Sequence, residues 1–413
     1  MEEKPSSPAR LAVFDVEGVL IPKNLFIYEL SKGLGLPNLL RVLSIGLLYQ
    51  IRFLSLKSAL SRIFRLMKGT AEKRLREIAG RIPIMPQVRG TIEELKKGGS
   101  KIAIISSGLP SIVVNVFSSE IGADYAFGFE IGSNGGVLNG EIWGDVIERD
   151  GKRKILSQIL DTEKLNFSDC VAIVDDRNNV PMFHPSMLKI GYNPDFTVRM
   201  KADNVVTGNL SSILPVVMGK PPKPRLPSRN DLRREAIHLS AISVPFLVML
   251  FGLNWVVFLI STIVSLYIVS EIARMEGKNL PLFSRITNLA ASETELYEFA
   301  AAPIYFALGI LITLIVFPVP ENSAAIAIFA AGDSSASLLG GLSTIRNPIN
   351  KGKTLGGSIG GLLFAFLAGA VFIAPWKALV GAIIAMAVEA LPSPLNDNIT
   401  IPFSAALGIT LLQ

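Results

Sequence analysis

One cysteine, Cys170, is present among 413 residues, so no disulfide can form within the chain, and a reducing cytosol suits it. There are only two histidines, His184 and His238. That excludes a histidine-rich metal site, and any metal is expected to be a hard cation held by carboxylates. Charge is also scarce. Only 18% of residues are charged while half are apolar, with a mean hydropathy of +0.46; a soluble enzyme has about a quarter charged. Acidic residues are missing altogether from Leu30 to Ala71, a stretch that holds Lys32, Arg41, Arg52, Lys57, Arg62, Arg65 and Lys68. The opening MEEKPSSPAR has no apolar core, and no signal peptide is expected there.

The polarity that remains is unevenly spread. Residues 1–235 read as soluble protein, whereas 236–413 contain several runs near the 20 or so apolar residues that span a bilayer. Spans are expected near 236–251, 254–271, 297–317, 323–341, 355–374, 376–391 and 400–413. Lys220, Lys223, Arg225, Arg229, Arg233 and Arg234 precede the first; Arg274, Lys278 and Arg285 fill the second loop; Arg346, Lys351 and Lys353 fill the fourth. Basic loops face the cytoplasm, so seven spans put all of them on the side of the soluble part. The expectation is an integral membrane protein with its soluble domain and sites cytoplasmic. The net charge of +6 then points to an anionic membrane surface as partner and not to nucleic acid.

Within the soluble part, RLAVFD (10–15), KIAIIS (101–106) and VAIVDD (171–176) are short apolar runs, each ending in polar residues. Helical stretches at 24–80 and around EELKK (93–97) separate them, which argues for a parallel sheet with its site at the strands' carboxyl ends. IGSNGGVLNGEIWG (131–144) carries two Asn-Gly steps and reads as a hairpin. KPPKPRLPSR (220–229) is a stiff, basic, proline-rich linker.

Asp15-Val16-Glu17-Gly18-Val19-Leu20, Ser106-Ser107-Gly108, Lys152 and Asp175-Asp176, in this order and spacing, resemble the haloacid dehalogenase superfamily, and its phosphoserine phosphatase branch in particular. The resemblance covers about residues 10–205. It implies an α/β Rossmann-like domain over 1–215 with a helical cap at about 24–84, and Mg²⁺ as cofactor. Asp15 would be the nucleophile that forms an acyl-phosphate, and Glu17 the acid/base. Ser106 or Ser107, with Gly108, would bind phosphate, Lys152 would neutralise charge, and Asp15 and Asp175 would ligate the metal. Two positions depart from the pattern. Glu17 stands where most of these phosphatases have Asp, and D-D-R-N-N places Asn179 where a second aspartate belongs, with the bulky Arg177 between; weaker metal affinity is the expected result.

The acid-free stretch interleaves its bases with Leu, Ile, Phe and Tyr, as in VLSIGLLYQIRFLSLKSALSRIFRLM. A basic amphipathic segment of this kind fits a membrane surface; equally, its apolar face fits packing on the domain's own core.

Charged residues inside apolar spans are costly and mark function by default. Arg233-Arg234 with His238, Glu271-x-x-Arg274, Gly332-Asp333-x-x-Ala336-x-x-x-Gly340, Lys353-Thr354-x-x-Gly357-Ser358 and Glu389 with Asp397-Asn398-x-x-x-Pro402 occur in order. This set resembles the CTP-dependent polyprenol kinases: dolichol kinase, phytol kinase and the CTP-using diacylglycerol kinases. The resemblance implies an all-α polytopic domain of about seven spans over 232–413, after a linker at 216–231. It implies Asp333 and Asp397 as catalytic residues, with Asp333 on Mg²⁺. Arg234, Gly332, Gly340, Lys351, Lys353, Gly357, Ser358 and Asn398 would hold CTP, and an isoprenoid alcohol would be the acceptor. Glycines at helical spacing also serve helix packing, and flanking lysines anchor topology. Position 347 is Asn where a P-loop needs its first glycine, which rules that motif out. The alternatives are a CDP-lipid-forming cytidylyltransferase, and a diacylglycerol-type kinase with a regulatory N-terminal domain. A transporter or scaffold without catalysis is a further class, one that would tolerate loss of Asp333 or Asp397.

Overall fold

The computed structural model describes residues 10–220, 224–278, 287, 296 and 298–412. Lys223 and Arg285, part of the charge argument above, lie outside them. The chain divides near residue 221 into two compact units.

In the first unit, the run Leu11–Phe14 is strand β1, buried throughout. The others are β2 (Lys101–Pro110), β3 (Tyr125–Asn134), β4 (Val137–Trp143), β5 (Cys170–Val174), β6 (Leu188–Tyr192) and β7 (Asn204–Val206). They form one sheet in the order β4-β3-β2-β1-β5-β6-β7. Only the β3–β4 pair is antiparallel. A strand covered on both faces needs an unbroken apolar run, which LAVF, IAII and CVAIV supply. Since β1 lies between β2 and β5, the winding reverses there and opens a crevice at the strands' carboxyl ends. Asp15 and Asp175 follow β1 and β5 directly. Ser106-Ser107-Gly108 lies inside β2, where pairing with β3 shifts register between Ile105 and Pro110. Irregularities of this sort re-aim side chains beside sites.

The hairpin forms as expected and turns on Gly135 and Gly136, both at positive φ. The second Asn-Gly step makes no turn; Gly140 lies within β4 and passes close to the Arg65 backbone of the cap. The cap comprises α1 (Leu25–Lys32), α2 (Leu36–Gln50), α3 (Leu56–Leu66) and α4 (Glu72–Ala79). Ser55 caps α3 by accepting from the Ser58 amide, and Leu60, Ile63 and Phe64 turn its apolar face into the core. Helices α5 (Val88–Lys97), α6 (Ser111–Ile121) and α7 (Gly151–Glu163) add Ile92, Phe117 and Leu156 to that core, and α8 (Phe196–Lys201) and α9 (Leu214–Val217) complete the unit.

The second unit is helical: α10 (Arg229–Ser240), α11 (Ser243–Phe251), α12 (Leu253–Met275), α13 (Ala302–Val316), α14 (Glu321–Gly340), α15 (Leu355–Gly369), α16 (Pro375–Ala390) and α17 (Asp397–Thr410). Arg229–Phe251, Leu253–Met275 and Glu321–Gly340 are long and apolar enough to cross a membrane. The other four have 14 to 16 residues, about 21–24 Å of helix against a hydrocarbon core near 30 Å. Seven full crossings therefore do not follow from helix length. The packing is inverted relative to a soluble bundle. On α15, Gly357, Gly361, Ala365 and Gly369 are buried, while Ile359, Leu363 and Leu367 are exposed. Small residues inside and large apolar ones outside is the arrangement of helices that meet lipid. Helix α14 is buried along most of its length.

Candidate active sites

The crevice of the first unit is organised around Asp15. One carboxylate oxygen accepts the Val16 amide at 2.9 Å and the Lys152 ammonium at 3.1 Å; the other accepts from the Asn179 side-chain amide at 2.5 Å. Lys152, from the first turn of α7, also donates to the Asn179 carbonyl oxygen at 2.5 Å. Asn179 donates to the Asp176 carboxylate at 3.0 Å as well. Asn179 is fully buried and Lys152 nearly so. The amide thus does work no second carboxylate could do: it donates to two acids and accepts from a base, and orients the proposed nucleophile. Asp176, which the sequence reading left unassigned, takes up the third acidic position. Oxygens of Asp15, Asp175 and Asp176 all lie within 4.8 Å of one another, and Asp175 keeps a buried oxygen without a hydrogen-bond partner. Such a donor set fits a hard divalent cation.

Glu17 faces the same crevice from the turn after β1. One of its oxygens is buried without a partner, and burial, then the neighbouring Asp15 charge, push its carboxyl up to about 7. Gly108 makes room for it: a Cβ there would stand 2.0 Å from the Glu17 carboxylate. Gly18 does the same for Asp175, at 2.4 Å. Ser106 and Ser107 are buried beside these groups, and the Ser106 hydroxyl accepts the Gly108 and Leu109 amides at 3.2 and 3.1 Å.

Lys23 was not anticipated. Its ammonium is hydrogen-bonded to Asp175 and lies 3.6 Å from Asp176, on the acidic cluster itself. Burial disfavours its charge, but Asp175 and Asp176 outweigh that and hold its pKa above the ordinary lysine value. A cation entering the cluster competes with this ammonium. Lys23→Gln is expected to tighten Mg²⁺ binding about tenfold, read by calorimetric titration with the metal alone; unchanged affinity would show that Lys23 does not compete.

Arg177 is no intruder. Its guanidinium donates to the Tyr49 carbonyl oxygen at 3.0 Å and lies over the Tyr49 ring, and the Asn178 amide donates to the Tyr49 hydroxyl at 2.6 Å. Residues that directly follow Asp175-Asp176 are thus bonded to the end of α2 in the cap.

A second polar group lies inside the helical unit. His238 Nδ1 is 3.3 Å from the Asp333 carboxylate. Glu235, His238 and Asp333 offer ligand atoms within 4.8 Å of one another. Arg234 pairs with Glu235 at 3.0 Å, and Ser337 donates to Glu235 at 2.8 Å. Lys353 pairs with Glu389 at 2.7 Å and lies 3.5 Å from Asp397. Asp397 therefore stands with Lys353 and Glu389, and Asp333 with Glu235 and His238. Glu235 escaped the sequence reading because an i, i+3 Glu-His pair on one helix is common.

The glycines lie where helices approach closely. A Cβ on Gly332 would meet Met386 and Ala365; on Gly340, Thr354; on Gly357, the Ala336 carbonyl oxygen at 2.6 Å. All three stand at close helix contacts. Ser358 has a buried hydroxyl without a partner, and Lys351 and Asn398 are half-buried. Glu271 and Arg274 form a bidentate pair, and Thr287 and the Ala300 amide also donate to Glu271.

Residues 12–184 match the haloacid dehalogenase-like hydrolase family. A phosphoserine phosphatase of Archaeoglobus fulgidus is 30% identical over 48% of this chain and 56% of its own length. One of Methanocaldococcus jannaschii is 29% identical over 47% of this chain and 90% of its own. This chain spans a little over half of the first and most of the second. A solved phospho-aspartyl intermediate analogue of phosphoserine phosphatase is 27% identical over 51% of this chain and 99% of that one, with a TM-score of 0.47. The first unit is a haloacid dehalogenase-like domain similar to the phosphoserine phosphatases.

Proposed function

We propose that the chain is a bifunctional membrane lipid enzyme. The first unit hydrolyses a phosphomonoester through an aspartyl-phosphate. The second transfers phosphate from CTP to an isoprenoid or related lipid alcohol.

For the first unit the reading rests on Asp15, held by Lys152 and Asn179 beside a Glu17 whose carboxyl is pushed up to about 7. Asp15 attacks phosphorus, the ester P–O bond breaks, and the departing oxygen takes the Glu17 proton. Glu17, now ionised, removes a proton from water as its oxygen attacks the same phosphorus. The bond to Asp15 breaks, phosphate leaves and the carboxylate is restored. Lys152 stabilises charge throughout. Asp15, Asp175 and Asp176 would hold Mg²⁺, which supplies further neutralisation of phosphate charge.

For the second unit one observation carries the reading. Two polar groups, one of Arg234, Glu235, His238 and Asp333 and one of Lys353, Glu389 and Asp397, lie among apolar helices, where polar groups are expensive and mark function by default. Lys353 and Arg234 would bind triphosphate oxygens. His238, bonded to Asp333, would take the alcohol's proton as the oxygen attacks the γ-phosphorus and CDP departs.

The test uses purified protein in liposomes with Mg²⁺, γ-labelled CTP or ATP, and a panel of polyprenols, phytol-type alcohols and diacylglycerol. Label is expected to enter a lipid from CTP and to fall by at least about a hundredfold in Asp333→Ala. Further accumulation in Asp15→Asn would put both units on one lipid pool. No transfer from either nucleotide removes the kinase reading; label from α-labelled CTP entering lipid replaces it with cytidylyl transfer.

A further inference from the structure

Helix α2 is apolar on two opposite sides. Val42 is buried and Ile45 and Tyr49 are half-buried on the side that packs within the unit. On the other side Leu36, Leu40, Leu43 and Leu47 form a row, each 52–68% exposed, and Ile51 and Phe53 extend it beyond the helix at 63% and 78%. Core packing and surface docking, alternatives at the level of sequence, are therefore both built into one helix. A continuous exposed row of this kind marks an interaction face.

Charge selects the occupant. From Leu30 to Ala71 there are seven basic residues and no acidic one, and Arg41, Arg52, Arg62, Arg65 and Lys68 are exposed. Two copies of this acid-free segment brought together would set like charges against each other, whereas anionic headgroups complement it. The chain also limits the distance. Helix α9 ends at Val217 and α10 begins at Arg229, so 12 residue steps, at most about 40 Å of extended chain, tether the first unit to the start of the Arg229–Phe251 stretch.

We propose that the outer face of α2 lies in the headgroup region of an anionic lipid bilayer. This rests on the reading that the second unit is embedded in that bilayer. Because Tyr49 on α2 is bonded to Arg177 and Asn178, the docked helix is fastened to the segment that follows Asp175 and Asp176. The crevice is thereby held near the bilayer surface, and the phosphomonoester it meets is one presented there.

The only native cysteine, Cys170, is buried, so a Ser44→Cys variant of the full chain accepts a single fluorophore beside the leucine row. In nanodiscs containing nitroxide-bearing lipids and about 30% anionic lipid, strong quenching is expected. It should fall several-fold when Leu40, Leu43 and Leu47 are all changed to Gln, and when salt is raised to about 0.5 M. An unchanged melting temperature in the triple variant shows that its fold is intact. No quenching in anionic discs, or quenching indifferent to the triple change, overturns the proposal; fluorophore self-quenching between copies assigns the face to a second chain instead. The readout involves no catalysis, so an inactive kinase or phosphatase leaves it standing. A chain that fails to enter the discs at all defeats the membrane reading beneath it.

Discussion

Asp15→Asn is expected to lower phosphomonoester turnover by about 10⁴-fold or more and to abolish labelling of the protein by a ³²P-phosphomonoester. The amide is nearly isosteric, so the effect is chemical. It has no anionic oxygen to form the acyl-phosphate, and it removes one of the three carboxylates that converge in the crevice. It also disturbs the local network, because both Asp15 oxygens accept. Lys152 and Val16 donate to one and Asn179 to the other, so whichever position the new NH₂ takes, it meets a donor. A buried donor–donor contact costs about 1–3 kcal/mol, and a modest fall in melting temperature should accompany the loss of activity. The decisive measurement is acid-trapping of labelled protein that is labile to hydroxylamine, as an acyl-phosphate must be. Wild type should show it in a burst, and Asp15→Asn should not. Equal labelling in the variant would place the nucleophile elsewhere, and the arrangement of Lys152 and Asn179 around Asp15 would need another purpose.

The crevice was legible in the sequence to the extent that its parts are local. Asp15, Ser106 and Asp175 each end or interrupt a short apolar run, and such runs, alternating with helical stretches, pair into a parallel sheet. Groups that reach the site through tertiary docking were not legible. Lys23 follows Asp15 by eight positions with no periodicity to mark it, and only the fold brings it onto Asp175. Arg177 looked like an obstruction because its partner, Tyr49, lies 128 residues away on a cap helix whose docking no local pattern states. In the helical unit the reverse difficulty arose. Spacing fits Gly332, Gly340 and Gly357 to a phosphate cradle and to helix packing alike, and only the facing atoms, Met386, Thr354 and the Ala336 carbonyl, show the helix contacts. Span number is less legible for a related reason. An apolar run gives composition, while crossing needs length, and α13, α15, α16 and α17 have 14 to 16 residues each.

Glu17→Gln should have two large effects of opposite sign. On activity, a neutral amide can neither protonate the leaving oxygen nor take a proton from water, and turnover of an alkyl phosphate should fall about 10²–10⁴-fold. An aryl phosphate, whose phenolate leaves without a proton, separates the two duties. Its first turnover should survive as a burst while the acyl-phosphate accumulates. In wild type, kcat/KM for the alkyl ester should drop about tenfold per pH unit above the Glu17 pKa. That limb lies at or below pH 7, since any cation held by Asp15 and Asp175 draws the proton off Glu17. On stability the sign reverses. The folded carboxyl is pushed up to about 7 from 4.5, so the folded state binds this proton more tightly than the unfolded chain. The associated stability is complete below pH 4.5 and is lost as pH rises through 7. With the side chain only half-buried, the loss is about 2–3 kcal/mol by pH 9. Gln carries no charge to desolvate. In EDTA at pH 9 the variant's first unit should therefore melt roughly 5–10 °C above wild type, with the gap closing toward pH 5, as scanning calorimetry of the full chain would read. A gap of equal size at both pH values would mean that packing, and not the buried charge beside Asp15, sets the difference. A variant less stable than wild type at pH 9 would mean that the ionised Glu17 has a partner in the folded state, and its role as the acid would have to be reassigned.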